Sequence, residues 1–139
     1  MQKKHMKIIV IALFGFLVLG SCKKQTINQV EKAVIEGEWK VSFFQEDGVN
    51  ETSDFSAMRF TFKDNGAVEV KVNSTLVYTG SWKVQRDSDH VEFDLNVGEV
   101  DPLGELTDDW HIEEHSSTKL ELKDESGDGS IDLLTFEKI

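Results

Sequence analysis

The sequence has a single cysteine and a single proline in 139 residues, and basic residues are scarce. Because Cys22 has no second cysteine to pair with, an internal disulfide is excluded and the fold must rest on packing. There are 15 lysines and arginines against 26 acidic residues, which gives a net charge of −11. This balance argues against nucleic-acid binding, which depends on basic side chains that neutralise phosphates. The length suits one domain.

The N-terminus has the pattern of an export signal. A lysine-rich start precedes an apolar run over residues 8–19, which is about a dozen residues and too short to cross a bilayer core of roughly 30 Å. The run ends in Leu19-Gly20-Ser21-Cys22, which resembles the lipobox of bacterial lipoproteins. We therefore expect a signal peptide over residues 1–21 and lipidation of Cys22. The alternatives are a signal anchor and a secreted protein without lipid.

Lipidation of Cys22 predicts a lipid-anchored protein of the outer membrane, on its periplasmic face or at the cell surface. Residues 1–21 contain three lysines and no acid, so their removal changes the net charge from −11 to −14. Residues 22–34 are polar and are interpreted as a tether with a helical turn near 29–34. The acidic charge is consistent with a basic protein or a cation as partner. The simpler explanation, which we favour, is that the charge keeps the tethered domain soluble and non-adherent.

From residue 37 onward, apolar and polar residues alternate with the period of two that is typical of half-buried strands. Asp64-Asn65-Gly66 predicts a tight hairpin turn, and Gly80 predicts a kink or bulge. Residues 100–106 break the pattern, and Leu133-Leu134 leaves the register of the last strand open. The residues predicted to face inward are Trp39, Val41, Phe43, Met58, Phe60, Phe62, Val68, Val70, Val72, Leu76, Tyr78, Trp82, Val84, Val91, Phe93, Leu95, Val97, Trp110, Ile112, Leu120 and Leu122.

About eight strands with short connections and no helix among them predict an all-β domain. Short hairpins join antiparallel strands, and eight such strands without a free edge form an up-and-down barrel. A two-sheet β-sandwich is the alternative.

Several motifs occur in an order that resembles the small lipocalin-like domain of bacterial lipoproteins. The motifs are Gly37-Glu38-Trp39, Phe60-x-Phe62-x-Asp64-x-Gly66, Gly80-x-Trp82, Leu120-x-Leu122 and Leu134-x-Phe136-x-Lys138. The resemblance covers residues 35–139 and implies a calycin-type barrel with Trp39 at its closed end. The chain lacks the paired cysteines of true lipocalins.

The predicted inward aromatics are the candidate binding residues. These are Trp39, Phe43, Phe60, Phe62, Tyr78, Trp82, Phe93 and Trp110. They either line a pocket for a small apolar ligand or fill the barrel, because an eight-stranded interior has room for one or the other.

Two motifs suggest metal ligands, but each has a simpler explanation. His111, Glu113 and His115 alternate along one strand, where ligands two and four residues apart lie too far apart for one ion without a bend. Residues 124–132 resemble the front of a calcium loop, but Thr135 occupies the position where a bidentate glutamate is needed. We therefore expect a polar strand face in the first case, a hairpin in the second, and no metal or cofactor.

The sequence predicts a binding protein rather than an enzyme. It contains no G-x-S-x-G or H-E-x-x-H motif, and no histidine has a local nucleophile as partner. We expect no catalytic residue, and either a small apolar ligand or an envelope protein as binding partner. The alternative is an acidic protein–protein interaction module, such as an inhibitor of a basic enzyme or a subunit of a surface complex. A hydrolase acting from the strand ends is a third possibility.

Overall fold

The computed structural model describes residues 26–139. The predicted signal peptide and Cys22, with its predicted lipidation, lie outside the described residues. Within them, no helix is both long and apolar enough to cross a membrane.

The described chain forms a closed antiparallel barrel. The strands are β1 (Trp39–Glu46), β2 (Val49–Asn50), β3 (Met58–Phe62), β4 (Ala67–Val72), β5 (Thr75–Asp87), β6 (His90–Asn96), β7 (Asp108–His115), β8 (Lys119–Glu125) and β9 (Ile131–Lys138). From β3 to β9 each strand pairs with the next, β1 pairs with both β3 and β9, and β2 adds only to the end of β1. The predicted barrel of about eight strands is confirmed, and the two-sheet sandwich is excluded.

One helix, α1 (Ile27–Val34), covers the barrel end at which β1 begins, here called the helix end. Thr26 and Gln29 form a capping box that satisfies backbone donors at its N-terminus. Val30 and Val34 are fully buried against the barrel. The helical turn expected near 29–34 is confirmed, and residues 27–34 of the predicted tether segment pack on the barrel. Its two buried valines supply the reason, since both lose contact with water.

The opposite end, here called the far end, is covered by its connecting segments. These are residues 47–57, 73–74, 97–107 and 126–130. Two 3-10 helices, Thr52–Phe55 and Leu103–Leu106, insert Phe55 and Leu106 into the core. Neither helix is predictable from the sequence, because one buried side chain in a four-residue helix leaves no periodic pattern.

The hairpin predictions agree with the structure. Gly66 has a φ of +87° in the turn between β3 and β4, where glycine is favoured. Residues 126–130 connect β8 to β9, as the hairpin interpretation of 124–132 predicted. In β9, Leu134 and Phe136 are fully buried, which settles the register that the leucine pair left open.

Strict alternation fails where strands are bulged. The pairing of β1 with β9 shifts between Val41 and Phe43, so Phe44 is fully buried and Phe43 is only partly buried. The prediction that Phe43 points inward and Phe44 outward is therefore wrong. A bulge inserts one residue and moves the following side chains to the other face.

A second irregularity lies in the pairing of β4 with β5, between Val70 and Lys71. Leu76 and Tyr78, predicted to face the core, are exposed. The shift puts Leu76 opposite Lys71 on the outer face, whereas Tyr78 lies opposite the buried Val70 in the part of β5 that extends past β6. Gly80 does not form the predicted bulge but lies against β6.

Candidate binding surface

Six of the eight aromatics that the sequence suggested as ligand-lining or core fill the barrel interior. Trp39, Phe60, Phe62, Trp82, Phe93 and Trp110 are all buried. Phe62 lies at the centre, with edge-on ring contacts to Trp82, Phe93 and Phe136 at 5.5–5.8 Å. Edge-on pairs at this spacing are favourable, and their rings occupy the space that a ligand would need.

The three tryptophans also attach covering segments to the barrel. The indole Nε1 of Trp39 donates to the carbonyl of Val34 at 3.0 Å, which holds the end of α1. Trp82 donates to Lys63 beside the β3–β4 turn at 2.9 Å, and Trp110 donates to Leu106 at 2.9 Å. Each buried indole therefore has the hydrogen-bond partner that burial requires.

A groove lies outside the barrel at the helix end. It has a volume of about 430 Å³ and is lined by Asn28, Glu31, Lys32, Ile35, Asp64, Asn65, Gly66, Trp82 and Lys83. A neighbouring depression of about 480 Å³ shares Ile35 and Asp64. Both volumes are within the range of small-molecule sites.

The far end is strongly acidic. Residues 46–57, 97–108 and 124–132 each contain four aspartates or glutamates and no lysine or arginine. The pairing of the strands brings all three stretches to this one end. The total charge is evident from the sequence. The clustering of acidic residues at one end of the barrel is not, because the three stretches are distant in the chain.

Three carboxylates of the far end lie close together. One oxygen each from Glu46, Glu51 and Glu105 lies within 4.8 Å of the others. Burial, the adjoining Glu51 carboxyl and neighbouring negative charge raise the pKa of Glu105 to about 7. Carboxyl oxygens at this spacing can share a proton or hold a hard cation such as calcium.

The outer face of β6 and β7 holds a second polar group. Glu92 is buried and lies 3.4 Å from His111, whose ring stacks on that of His90 with 4.6 Å between centroids. Burial and the neighbouring Asp109 raise the pKa of Asp94. One oxygen each from Glu92, Asp94 and Asp109 also lies within 4.8 Å, so this trio too could hold a cation.

The histidine motif of β7 does not gather around one point. His111 faces Glu92, whereas Glu113 lies 3.3 Å from Lys123 on β8. A register shift between Ile112 and Glu114 separates His115 from the other two. His111 therefore lies on the expected polar outer face, whereas His115 pairs opposite the buried Leu120 and is on the inner face, which contradicts the prediction for His115.

In the β8–β9 turn, the aspartate side chains accept hydrogen bonds from the protein. Asp128 accepts hydrogen bonds from the backbone N–H and the hydroxyl of Ser130, which lower its pKa. Asp132 accepts from the backbone N–H of Asp47 and so joins two far-end segments.

The chain is similar to a known domain family and to a solved structure. A lipocalin-like protein from Bacteroides uniformis is a structural neighbour with 18% identity and a TM-score of 0.44, covering 76% of this chain and 98% of that one. The search of curated proteins found no match. The profile of the lipocalin-like domain family matches residues 35–128, which is more than half of the sequence. The chain therefore belongs to the lipocalin-like domain family.

Proposed function

We propose that this protein is a non-catalytic, lipid-anchored protein of the cell envelope that binds a basic partner protein through its far end. The observation that carries the proposal is that three stretches with acidic but no basic residues lie together at one end of the barrel. These stretches are 46–57, 97–108 and 124–132. Complementary charge accelerates association and selects the partner. The filled interior argues for a binding surface outside the barrel rather than an enclosed apolar ligand.

The expected position of the lipid anchor also supports the far end as the binding surface. Cys22, the expected lipidated residue, precedes Thr26 by four positions. An extended chain spans at most about 3.6 Å per residue, so the helix end would lie within roughly 14 Å of the lipid. The far end would then point away from the membrane, toward partners in the periplasm or outside the cell.

Charge-neutral variants test this proposal. The far-end variant removes three exposed charges by combining Glu99→Gln, Asp101→Asn and Glu125→Gln. The matched control, Glu36→Gln with Asp87→Asn and Asp89→Asn, removes three exposed charges at the helix end. A lysozyme serves as the basic probe, and its Kd is measured at low and moderate salt.

We expect the far-end variant to bind the probe about tenfold more weakly, which corresponds to roughly 1.4 kcal/mol. The helix-end control should change the Kd less than twofold, and added salt should weaken the wild type most. Equal losses in both variants would show that only the total charge acts, and would refute the far end as the binding surface.

A second candidate function is binding of a small amphiphilic ligand in the helix-end groove. The specific observation is its volume of about 430 Å³, with apolar Ile35 and Trp82 beside the amines of Lys32 and Lys83. An environment-sensitive apolar dye with a sulfonate group, such as anilinonaphthalene sulfonate, provides the probe. Its fluorescence should rise on the wild type and fall with Ile35→Asp. A signal unchanged by that substitution would remove the groove from consideration.

A further inference from the structure

The β4–β5 hairpin extends past the end of β6 at the far end of the barrel. β5 pairs with β4 from Thr75 onward, but its pairing with β6 starts only at Ser81, opposite Asn96. Among the described residues, 75–80 is therefore a strand edge that is paired on one side only.

This edge has a bulge at Val77 but neither charge nor proline. Leu76, Val77 and Tyr78 are 49%, 51% and 39% exposed, and no charged residue occurs between Val72 and Trp82. Proteins generally guard an open edge with charge, proline or a covering segment, because unpaired backbone groups attract another strand. An uncharged, apolar edge is unexpected in a chain with 29% charged residues.

The segment that follows β6 lies close to one end of this edge and carries acidic residues. At Gly80 the backbones of β5 and β6 are so close that a Cβ added there would lie 2.0 Å from the carbonyl oxygen of Asn96. The Tyr78 ring packs against Gly98, two residues beyond Asn96. Exposed Glu99, Val100 and Asp101 follow directly in the sequence. The segment next to Tyr78 therefore leads into two exposed carboxylates and the 81% exposed side chain of Val100.

We propose that residues 75–79 bind an extended segment of a basic partner, which adds to β5 as a further strand. The backbone of β5 supplies the ladder of hydrogen bonds, and Leu76, Val77 and Tyr78 supply apolar contacts. Glu99 and Asp101 pair with basic side chains of the added segment. A second copy of this chain fits less well, since its far end carries the same negative charge. This inference rests on the proposed function and names the element that the partner contacts.

The test uses the full chain and two synthetic probes. One peptide alternates valine and threonine over seven residues with lysines at both ends, and the other carries glutamates instead. Binding is measured by fluorescence anisotropy, and hydrogen exchange locates the contact. We expect the lysine-ended peptide to bind at least tenfold more tightly than its counterpart and to slow exchange at residues 75–79.

Two variants separate strand addition from general attraction to the far end. Val77→Lys places a charge on the open edge, whereas Ile131→Lys places the same charge on an exposed position of β9 at the same end. Val77→Lys should weaken peptide binding at least tenfold, and Ile131→Lys less than twofold. Equal effects of the two substitutions would overturn strand addition while leaving the acidic far end as the binding surface.

Other outcomes contradict different parts of the inference. Equal affinity for both peptides would refute a basic partner and with it the proposed function. Protection of residues 75–79 without peptide, rising with protein concentration, would show that a second copy occupies the edge and would overturn the proposal. If the peptide slowed hydrogen exchange only outside residues 75–79, the proposal would also be overturned.

Discussion

Trp39 joins three parts of the molecule at the helix end. Its ring is fully buried, its Nε1 donates to Val34, and the amine of Lys138 lies 5.1 Å from its ring centroid. The single side chain thereby connects β1 to the end of α1 and to the last strand. The closed-end position that the family resemblance implies for Trp39 agrees with these contacts.

Trp39→Ala should lower the free energy of unfolding by about 3–5 kcal/mol, through lost transfer energy and the cavity left behind. That is a large part of the roughly 5–15 kcal/mol of a typical domain. Denaturant unfolding measures the loss, with Lys40→Gln on the exposed neighbouring position as control. Near-normal stability of Trp39→Ala would show that the helix end does not depend on the indole.

Glu105 should make stability depend on pH. Its pKa in the folded protein is about 7 against an ordinary value of 4.5, so the folded state binds the proton more tightly. The protein should then lose stability as pH rises from about 4.5 to about 7, and should not regain it above that range.

Glu105→Gln removes this dependence, because the amide stays neutral. The variant should melt at nearly the wild-type temperature at pH 4 and a few degrees higher at pH 8, by the usual relation of about 4–8 °C per kcal/mol in small domains. Melting curves at the two pH values measure this. If the melting temperatures of the variant and the wild type differed by the same amount at pH 4 and pH 8, the Glu105 carboxyl would not have a raised pKa in the folded protein.

At the scale of elements, the bulges and close approaches decide which side chains reach the core. The β1 bulge places Phe44 against Phe55 and Trp110, at 5.3 and 6.5 Å between ring centroids. These contacts link β1 to the segment that covers the far end. Gly80 has the corresponding role between β5 and β6, where only a residue without a Cβ fits.

Gly80→Ala should destabilise the barrel by about 1–3 kcal/mol, the range for overpacking, since the new Cβ meets backbone and not a flexible side chain. Gly127→Ala is the matched control, because no atom lies within 4 Å of its Cβ position and its φ is not positive. Equal stability of both variants would mean that β5 and β6 can separate at Asn96 without cost.

At the scale of the whole molecule, the charge distribution and the proposed anchor at Cys22 distinguish the two ends of the barrel. The far end gathers acid-only stretches, and the helix end adjoins the segment that leads to Cys22. Because the interior is filled, the far end and the helix-end groove are the two surfaces that we propose for binding.

Cys22→Ala should leave the precursor uncleaved, since lipid transfer to the cysteine precedes cleavage in the lipoprotein pathway that the lipobox indicates. Intact mass and membrane fractionation measure this, and Ser21→Ala, which keeps a small residue beside the cysteine, serves as control. Normal cleavage of Cys22→Ala, with the wild-type mass apart from the substitution, would refute the lipoprotein assignment.

The sequence by itself determined the all-β class, the number of strands and most of the core, because side chains on a half-buried strand must alternate. Trp39, Phe60 and Phe93 were found in this way. Only the tertiary structure decided Phe44 over Phe43, the exposure of Tyr78 and the packing of α1 on the barrel. A bulge, a strand that outruns its neighbour and a helix with two buried valines depend on what lies opposite in space. The acidic far end belongs with them, since residues 46–57, 97–108 and 124–132 come together only when the barrel closes.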